Sequence, residues 1–515
     1  MIPVLSAAAM RAADRATIRG GVPSLELMER AAEALVEELR RRFPDWKRVV
    51  VVCGPGNNGG DGLAAARQLA GRGVAASVFT LADPSSYRGD PATNAERARA
   101  YGLDLIALSG RGGRAALARS LTDADGGVDA LFGTGLSRGL TGEAAGAVRA
   151  LNESGRPIVA ADVPSGLSAD SSSPVGPCVR AALTVAFAAP KLCHVLFPAR
   201  QFCGEVVVRD IGISRETLER SGSRLAQVEP GDVRRLLLPR RLDSHKGVFG
   251  RVAVIAGSRG KAGAAILCAR GALRAGAGLV TVFCPESLED VVVGALPEAM
   301  TRGLEESGGG LSAKAGRVAA LELSGFDAAV AGPGLGAGPG TIVAVEEIAR
   351  RARVPLVGDA DFLNALAGRP GLLARRRHPT ILTPHPGEAA RLLGVTARAV
   401  QGERARAASE LARSARSVVV LKGAGTLTAT RDGRLAVNPT GTPLLATAGS
   451  GDVLAGAIGA LLAGGLPARD AAIAAVYLHG AAGELLAADL GDAGLLTAEL
   501  ADALPRARRA LCGAS

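Results

Sequence analysis

Ala448-Gly449-Ser450-Gly451-Asp452-Val453-Leu454-Ala455-Gly456 sets small residues ahead of an apolar stretch, with one carboxylate at the junction. Small residues leave backbone N–H groups open to a ligand. A helix beginning there adds unpaired donors and a partial positive charge, which together make an anion site. An Asp at that mouth can take a proton from a hydroxyl while the turn holds a phosphoryl group in transit. The pattern points to phosphate chemistry on an alcohol. Taken alone it also fits a Gly-rich turn capped by Asp, so the other motifs decide.

A second constellation stands near the start. Cys53-Gly54-Pro55-Gly56-Asn57-Asn58-Gly59-Gly60-Asp61-Gly62 contains G-x-G-x-x-G at Gly54, Gly56 and Gly59, with Asp83 downstream. That spacing keeps a dinucleotide-binding dehydrogenase in competition. Two Asn and an Asp in the turn add polar side chains that a plain pyrophosphate cradle does not need. Asp129-Ala-Leu-Phe-Gly133-Thr134-Gly135 and Asp162-Val-Pro-Ser165-Gly166 also end apolar runs. In an α/β sheet all three segments would meet beyond the carboxyl ends of the strands. Asp129 and Asp162 are alternatively turn-forming caps.

The elements that must carry these residues follow from hydrophobic runs. Arg48–Cys53 reads as a buried strand, residues 61–69 as a helix, and 75–81, 128–132, 158–162 and 183–187 as further strands. A second alternation places strands at 251–257, 279–283, 328–332, 354–359, 380–384 and 417–422. Strands separated by helices imply parallel sheets covered on both faces. The polar, Arg-rich stretch 211–241 reads as the linker between two α/β domains, placed at 1–222 and 223–515.

Composition excludes several classes. The chain has 515 residues, 48% hydrophobic and 21% charged, which predicts a multidomain globular protein. Its seven Cys form no C-x-x-C pair, arguing for a reducing compartment and against a zinc or disulfide frame. Neither a signal peptide nor an uninterrupted membrane-length apolar run is evident, so the expected location is cytoplasmic, with no membrane. Net charge is +11, but the basic residues are scattered and aromatics reach only 3%, so acidic small ligands fit better than nucleic acid. Six of the 60 basic residues are Lys. Lys191, Lys246 and Lys422 fall in motif-like segments, which points to compact charges used near phosphates.

CGPGNNGGDGLAAAR, VDALFGTGLSRGL and ADVPSGL resemble the NAD(P)H-hydrate epimerase family over about residues 1–220. That resemblance implies interconversion of the R and S hydrates of NADH and NADPH, with a bound potassium ion. It assigns potassium to Asn58, Asp129 and Ser165. It assigns the hydrate to Asn57, Asn58, Gly59, Gly60, Asp61, Gly133, Thr134, Gly135, Leu136, Ser137, Arg138, Gly139 and Asp162, and Asp162 can move the hydroxyl proton. Arg30 and Ala32 stand where the family usually has Asn and Gly.

The region 242–505 resembles the ADP- or ATP-dependent NAD(P)H-hydrate dehydratases, a ribokinase-like branch. It does so through DSHKGVFGRVAVIAGS, GALRAGAGLVTV, VAGPGLG, VGDADFLN, LTPHPGEAARL, VVVLKGAGT, ATAGSGDVLAG and AVYLHGAAG in order. The resemblance implies a nucleotide on Lys422, Gly423, Ala424, Gly425, Thr426 and Gly451. It implies a hydrate pocket with Ala264, Gly334 and His385, and Asp452 as general base. Glu388 stands where sugar kinases of this superfamily carry a magnesium-linked Glu. Gly358 replaces a usually large apolar residue, Phe362 a frequent Gly, and Ala448 another Gly. Asp359 and Asp361 are either strand-end caps or metal-linked carboxylates, and His245 and His479 read as packing or loop residues.

The expected protein is thus two tandem three-layer α/β/α domains, Rossmann-like then ribokinase-like. It would epimerise the R hydrate and dehydrate the S hydrate with a nucleotide donor, releasing phosphate, and AMP if the donor is ADP. Its ligands would be the hydrates NADHX and NADPHX, ADP or ATP, potassium and magnesium, in a homo-oligomer. The competing reading is a ribokinase-like small-molecule kinase with an N-terminal nucleotide-binding module.

Overall fold

The computed structural model describes residues 1–109, 112–237 and 239–513. It divides into two compact units, Ile2–Leu225 and Met1 with Ala226–Ser515. Each is a three-layer α/β/α arrangement.

In the first unit the strand Arg48–Cys53 pairs in parallel with Ala75–Thr80 on one side and Gly126–Ala130 on the other. Leu105–Ala107 extends the first edge, and Ile158–Ala161, Leu183–Phe187 and Glu205–Arg209 extend the second, completing a seven-stranded parallel sheet. Alternation along one strand separates the two faces. Val49 and Val51 join one core with the helices Ser24–Arg42 and Asn57–Gly71, while Val50 and Val52 join another with Gly113–Asp123 and Gly142–Glu153. Because the chain first runs to one side of Arg48–Cys53 and later returns to the other, a crevice forms beyond that strand's carboxyl end.

One expectation is corrected here. The helix after Arg48–Cys53 begins at Asn57, four residues earlier than the pattern predicts. Asn-Asn-Gly-Gly has poor helix propensity and reads as a turn. Close packing overrides this, since a β-carbon at Gly59 would stand 1.8 Å from the Gly54 carbonyl oxygen. Only glycine lets the first helical turn lie against the Gly-rich loop.

The stretch read as a linker is also largely structured, with helices Arg215–Glu219 and Pro230–Leu236 and a strand at Leu225–Gln227. Its Arg-rich character belongs to the solvent side, whereas Val228, Val233 and Leu237 enter the core of the second unit. Residue 238 lies outside the described residues.

In the second unit, strands run in parallel in the order Val418–Leu421, Thr380–Leu382, Leu356–Gly358, Ala328–Ala331, Arg251–Ile255, Leu279–Pro285 and Met300–Leu304. Leu427–Ala429 and Leu435–Val437 add antiparallel neighbours beyond Val418–Leu421. The helix Ser450–Ala463 packs on Ala262–Ala275 at very short range. A β-carbon at Gly456 would lie 1.9 Å from the Cys268 carbonyl oxygen. That approach fixes the height of Asp452 above the sheet. The helix Ala468–Leu490 is long and apolar enough to cross a membrane, unlike anything expected from uninterrupted runs. Its most apolar window is 72% buried, which marks a core helix.

Candidate active sites

A cavity of about 520 Å³ opens at the carboxyl ends of the first unit's central strands. Asn57, Asn58 and Asp61 reach it from the first turn of their helix, Gly133, Thr134, Gly135 and Leu136 from the loop after Gly126–Ala130, and Asp162 from the end of Ile158–Ala161. Gly59 and Gly60 are buried behind that wall. Ser137, Arg138 and Gly139 are not among the residues that line it.

Asp162 is held in an uncommon backbone conformation, φ +61°. Such strain persists only where the surroundings enforce it. Here the Asp162 amide donates to the Val185 carbonyl at 2.9 Å, and Asp162 Oδ1 accepts from the Phe187 amide at 3.1 Å. Lys191 Nζ donates to the same oxygen at 2.5 Å and to the Phe187 carbonyl at 2.9 Å. The lysine side chain is wholly buried. One carboxylate oxygen is therefore fixed by a buried cation, leaving Oδ2 for a ligand in the cavity. Asp61 has its carboxyl pushed well above the usual range by burial and by the neighbouring charges of Asp162 and Asp14. Its neutral form is favoured over the carboxylate.

Asp129 Oδ2 accepts the Ser165 amide at 2.7 Å, while Oδ1 accepts the Ser165 hydroxyl at 2.6 Å and the Leu131 amide at 3.2 Å. The Ser165 hydroxyl also meets the Phe132 carbonyl and amide. Asp129 is fully buried, and burial pushes its carboxyl to about 6 despite those bonds. Asn58 lies against Gly133, and its buried Nδ2 has no hydrogen-bond partner. The buried Asp129 carboxylate, the Ser165 hydroxyl and the Phe132 carbonyl are oxygen donors of the kind that fit a potassium ion, and among the described residues Asp129 has no cationic partner.

In the second unit four adjacent parallel strands deliver residues to one edge. Gly334 follows Ala328–Ala331, Asp359 follows Leu356–Gly358, Thr383 and His385 follow Thr380–Leu382, and Lys422 follows Val418–Leu421. Lys422 Nζ donates to Asp359 Oδ1 at 2.8 Å and stands 3.8 Å from Glu388. Thr383 donates to the same Asp359 oxygen at 2.7 Å. Burial disfavours the charged lysine, but Asp359 and Glu388 outweigh it and hold the ammonium above its usual range. Asp452 occupies the first turn of Ser450–Ala463. Its carboxyl is pushed up to about 7 by burial and then by Asp359, against the pull of Lys422. Such a group is poised as a base near neutrality. Gly451 is beside the same cation, since a β-carbon there would lie 3.2 Å from Lys422 Nζ.

Gly334 and Ala264 are brought together across the strand end, with a β-carbon on Gly334 placed 2.9 Å from that of Ala264. Ala424, Gly425 and Thr426 form the turn between Val418–Leu421 and Leu427–Ala429, and Thr426 closes it onto the Gly423 carbonyl at 2.8 Å. Glu388 is engaged locally. Its Oε2 accepts the His385 amide at 2.8 Å, and His385 Nε2 stands 3.4 Å from Oε1. Among the described residues no group of three or more His, Cys, Asp or Glu is set to hold a metal. Magnesium there fits as an ion arriving with the nucleotide rather than one caged by side chains.

The odd pair Gly358 and Phe362 explains itself. A β-carbon at Gly358 would stand 2.5 Å from the fully buried Phe362 ring, so the aromatic fills the volume that a larger residue would occupy. Arg30 is half-buried and pairs with Glu26, and it is not among the residues lining the cavity that Met28 and Ala31 line. The Ala448 carbonyl accepts the Thr497 hydroxyl at 2.7 Å. Buried His479 bonds the Ser450 carbonyl at 2.9 Å and thereby positions the start of the Asp452 helix. Burial takes its pKa down to about 4, so it stays neutral. His245 accepts from the Gly247 amide in its own turn.

Two cavity residues carry no signal in the motifs. Asp14 reaches the cavity from the first helix, Ala7–Arg19. Lys191 stood out only because lysine is rare in this chain. Lys246, singled out for the same reason, is exposed.

A family model described as NAD(P)H-hydrate dehydratase matches residues 252–506, and one described as YjeF-related protein N-terminus matches residues 24–193. A bifunctional NAD(P)H-hydrate repair enzyme of Moorella thermoacetica is 41% identical over 99% of this chain and 97% of its own length. The Escherichia coli protein of that description is 36% identical over 94% of this chain and 90% of its own length. Among solved structures, the ADP/ATP-dependent NAD(P)H-hydrate dehydratase of Bacillus subtilis, co-crystallised with ATP and magnesium, is 37% identical. It covers 55% of this chain and 97% of its own, with a TM-score of 0.50.

Proposed function

The chain belongs to the family of bifunctional NAD(P)H-hydrate repair enzymes, and from that membership we propose how its two sites divide the repair. The enzyme returns hydrated NADH and NADPH to the reduced cofactor by epimerisation and nucleotide-dependent dehydration.

The first unit converts the R hydrate to the S hydrate. The stereocentre is a ring carbon bearing both a hydroxyl and the ring nitrogen, so inversion requires the hydroxyl proton to leave and return. Asp162 Oδ2 accepts that proton while Lys191 holds the other oxygen in place. Asn57, Asn58 and the Gly133–Leu136 loop orient the hydrate. Potassium, bound by Asn58, Asp129 and Ser165, would offset the buried Asp129 charge and fix the loop that carries Gly133. With Asp129→Asn, the increase in melting temperature that potassium gives the wild-type enzyme should vanish. For a site filled to about a hundred times its dissociation constant that increment corresponds to roughly 2.7 kcal/mol. An unchanged potassium response in a thermal melt would exclude this site.

The second unit phosphorylates the S-hydrate hydroxyl. The observation carrying this reading is Asp452, with its carboxyl near 7, beside Lys422 on the first turn of a helix that has no side-chain cap and so leaves N-terminal amides to receive an anion. Asp452 takes the hydroxyl proton, and Lys422, Gly423, Ala424, Gly425, Thr426 and Gly451 hold the donor's phosphates. Magnesium accompanying the nucleotide would screen their charge. The phosphorylated oxygen then departs as phosphate, pushed by the ring-nitrogen lone pair, and the neighbouring carbon loses a proton to restore the dihydropyridine. With ADP the other product is AMP.

Mixed R and S NADH hydrate, supplied with magnesium, potassium and either ADP or ATP, should recover essentially all reduced-nicotinamide absorbance with one preferred donor. Recovery stopping at the S fraction would remove the epimerase assignment. A stable phosphorylated product without recovery would move the kinase reading to the front.

A further inference from the structure

The epimerase cavity holds a second carboxylate that the motifs do not contain. Asp14 lies on the helix Ala7–Arg19, which starts at a Ser6 cap accepting the Ala9 amide at 3.1 Å. Arg11, Asp14 and Ile18 all line the cavity, and their spacing of three and four residues sets them on one stripe of the helix. Asp162 and Lys191 face that stripe from the sheet edge, and Asp61 and Asp90 line the same cavity. The Asp14 carboxyl is only partly exposed and has no hydrogen bond or ion pair with any described residue. Asp162 is different, being clamped by Lys191 and the Phe187 amide. One cavity therefore contains a carboxylate paired directly with a buried ammonium and another with no hydrogen bond or ion pair among the described residues. Such asymmetry separates a base from an acid.

We propose that Asp14 is the second proton-transfer residue of the epimerase, acting as proton donor to the ring nitrogen while Asp162 is the base on the hydroxyl. The proposal rests on the epimerase reading of this cavity. As Asp162 takes the hydroxyl proton, the oxygen becomes a carbonyl and the carbon–nitrogen bond breaks, its electron pair going to nitrogen. Asp14 gives its proton to that nitrogen. Rotation of the freed aldehyde presents its other face. Nitrogen then attacks the carbonyl carbon, returning its proton to Asp14, while the carbonyl oxygen takes its proton back from Asp162. Both carboxyls end as they began, and no oxidant or further reactant is consumed.

The electrostatics agree. Burial, and then the negative charge of Asp162, push the Asp14 carboxyl to about 6, against weaker pulls from Lys191 and Arg15. A donor with that value exchanges protons readily near neutrality. Asp61, buried beside Asp162 and Asp14, is held well above the usual range by burial and by those two charges. Because Asp14 titrates higher in the folded protein than in the unfolded chain, its charged form opposes folding above about pH 6. Asp14→Asn should therefore fold, and at about pH 8 be no less stable than wild type.

The test is steady-state epimerisation of the R hydrate by the full-length chain, with dehydration of the S hydrate by the same preparation as the internal control. Asp14→Asn should lower epimerase kcat by about a hundredfold or more with little change in KM. It should also abolish the loss of wild-type rate on the alkaline side, leave S-hydrate dehydration intact, and be partly rescued by Asp14→Glu. A raised KM with unchanged kcat would make Asp14 a binding residue and overturn the proposal. So would an Asp14→Asn enzyme of full activity, or an alkaline limb that survives in Asp14→Asn and disappears in Asp61→Asn. Failure of the underlying reading looks different, because the wild type itself would then leave the R hydrate unconverted.

Discussion

Asp452→Asn should abolish S-hydrate dehydration, lowering kcat/KM by about a thousandfold or more, the upper range for loss of a positioned general base. Epimerisation of the R hydrate by the same protein should be unaffected, because Asp452 and the epimerase cavity belong to separate units. In the wild type the base must be deprotonated. The dehydratase rate should therefore fall as pH drops through the Asp452 value of about 7. The same carboxyl titrates above the ordinary 3.8 in the folded state. Its contribution to stability is thus fully present below the unfolded value and is lost as pH rises through the folded one. Asp452→Asn should consequently melt higher than wild type at about pH 8, and the advantage should shrink toward pH 4. Each unit of displacement corresponds to about 1.4 kcal/mol, so the difference is readily seen by calorimetry. A variant that is inactive but more stable marks a residue kept for chemistry at a cost in stability. Retention of activity within about tenfold, or an acidic limb that survives the substitution, would remove Asp452 as the base.

Lys191→Met should be nearly as damaging to the epimerase, for a different reason. The lysine is fully buried and its ammonium holds Asp162 Oδ1 and the Phe187 carbonyl together. Removing it strands a carboxylate that is itself only 8% exposed. Breaking a buried pair on one side costs about 3–5 kcal/mol, which for a unit of this size lowers its melting point by roughly 10 °C. Epimerase turnover should fall by about a hundredfold or more, since Asp162 would lose the ammonium that orients it. Lys191→Arg should not rescue it, because a bulkier planar fork cannot reproduce the single ammonium that bridges Asp162 Oδ1 and the Phe187 carbonyl at a fully buried position. The double variant Asp162→Asn with Lys191→Met separates the two effects. It should regain much of the stability and none of the turnover. Epimerase activity in Lys191→Met within a few-fold of wild type would show that the ion pair is structural only.

Local chemistry made much of this legible. The Gly-rich turn at Gly54–Gly62, the strand-end carboxylates Asp129 and Asp162, and the Gly449–Asp452 turn are all written in consecutive residues. Their placement follows from a turn, a helix start or a strand end, which are properties of a few neighbouring positions, and their proposed roles build on it. Alternating hydrophobic runs likewise settled two parallel α/β sheets, because burial of both faces is a demand on each strand separately.

Other features needed distant parts of the chain. The helix opens at Asn57 and not Asp61 because Gly59 nests on the Gly54 carbonyl, a packing gain that propensity does not count. Phe362 replaces the side chain missing at Gly358, a compensation visible only when strand and helix are adjacent. Lys191 became the partner of Asp162, and Asp14 its neighbour across the cavity, through contacts spanning 29 residues in one case and separate elements in the other. Sequence fixes what a residue can do, since donors, acceptors and backbone freedom belong to the residue itself. Whether a carboxyl titrates near 4 or near 7 depends on which charges and how little water surround it, and only the folded chain sets those.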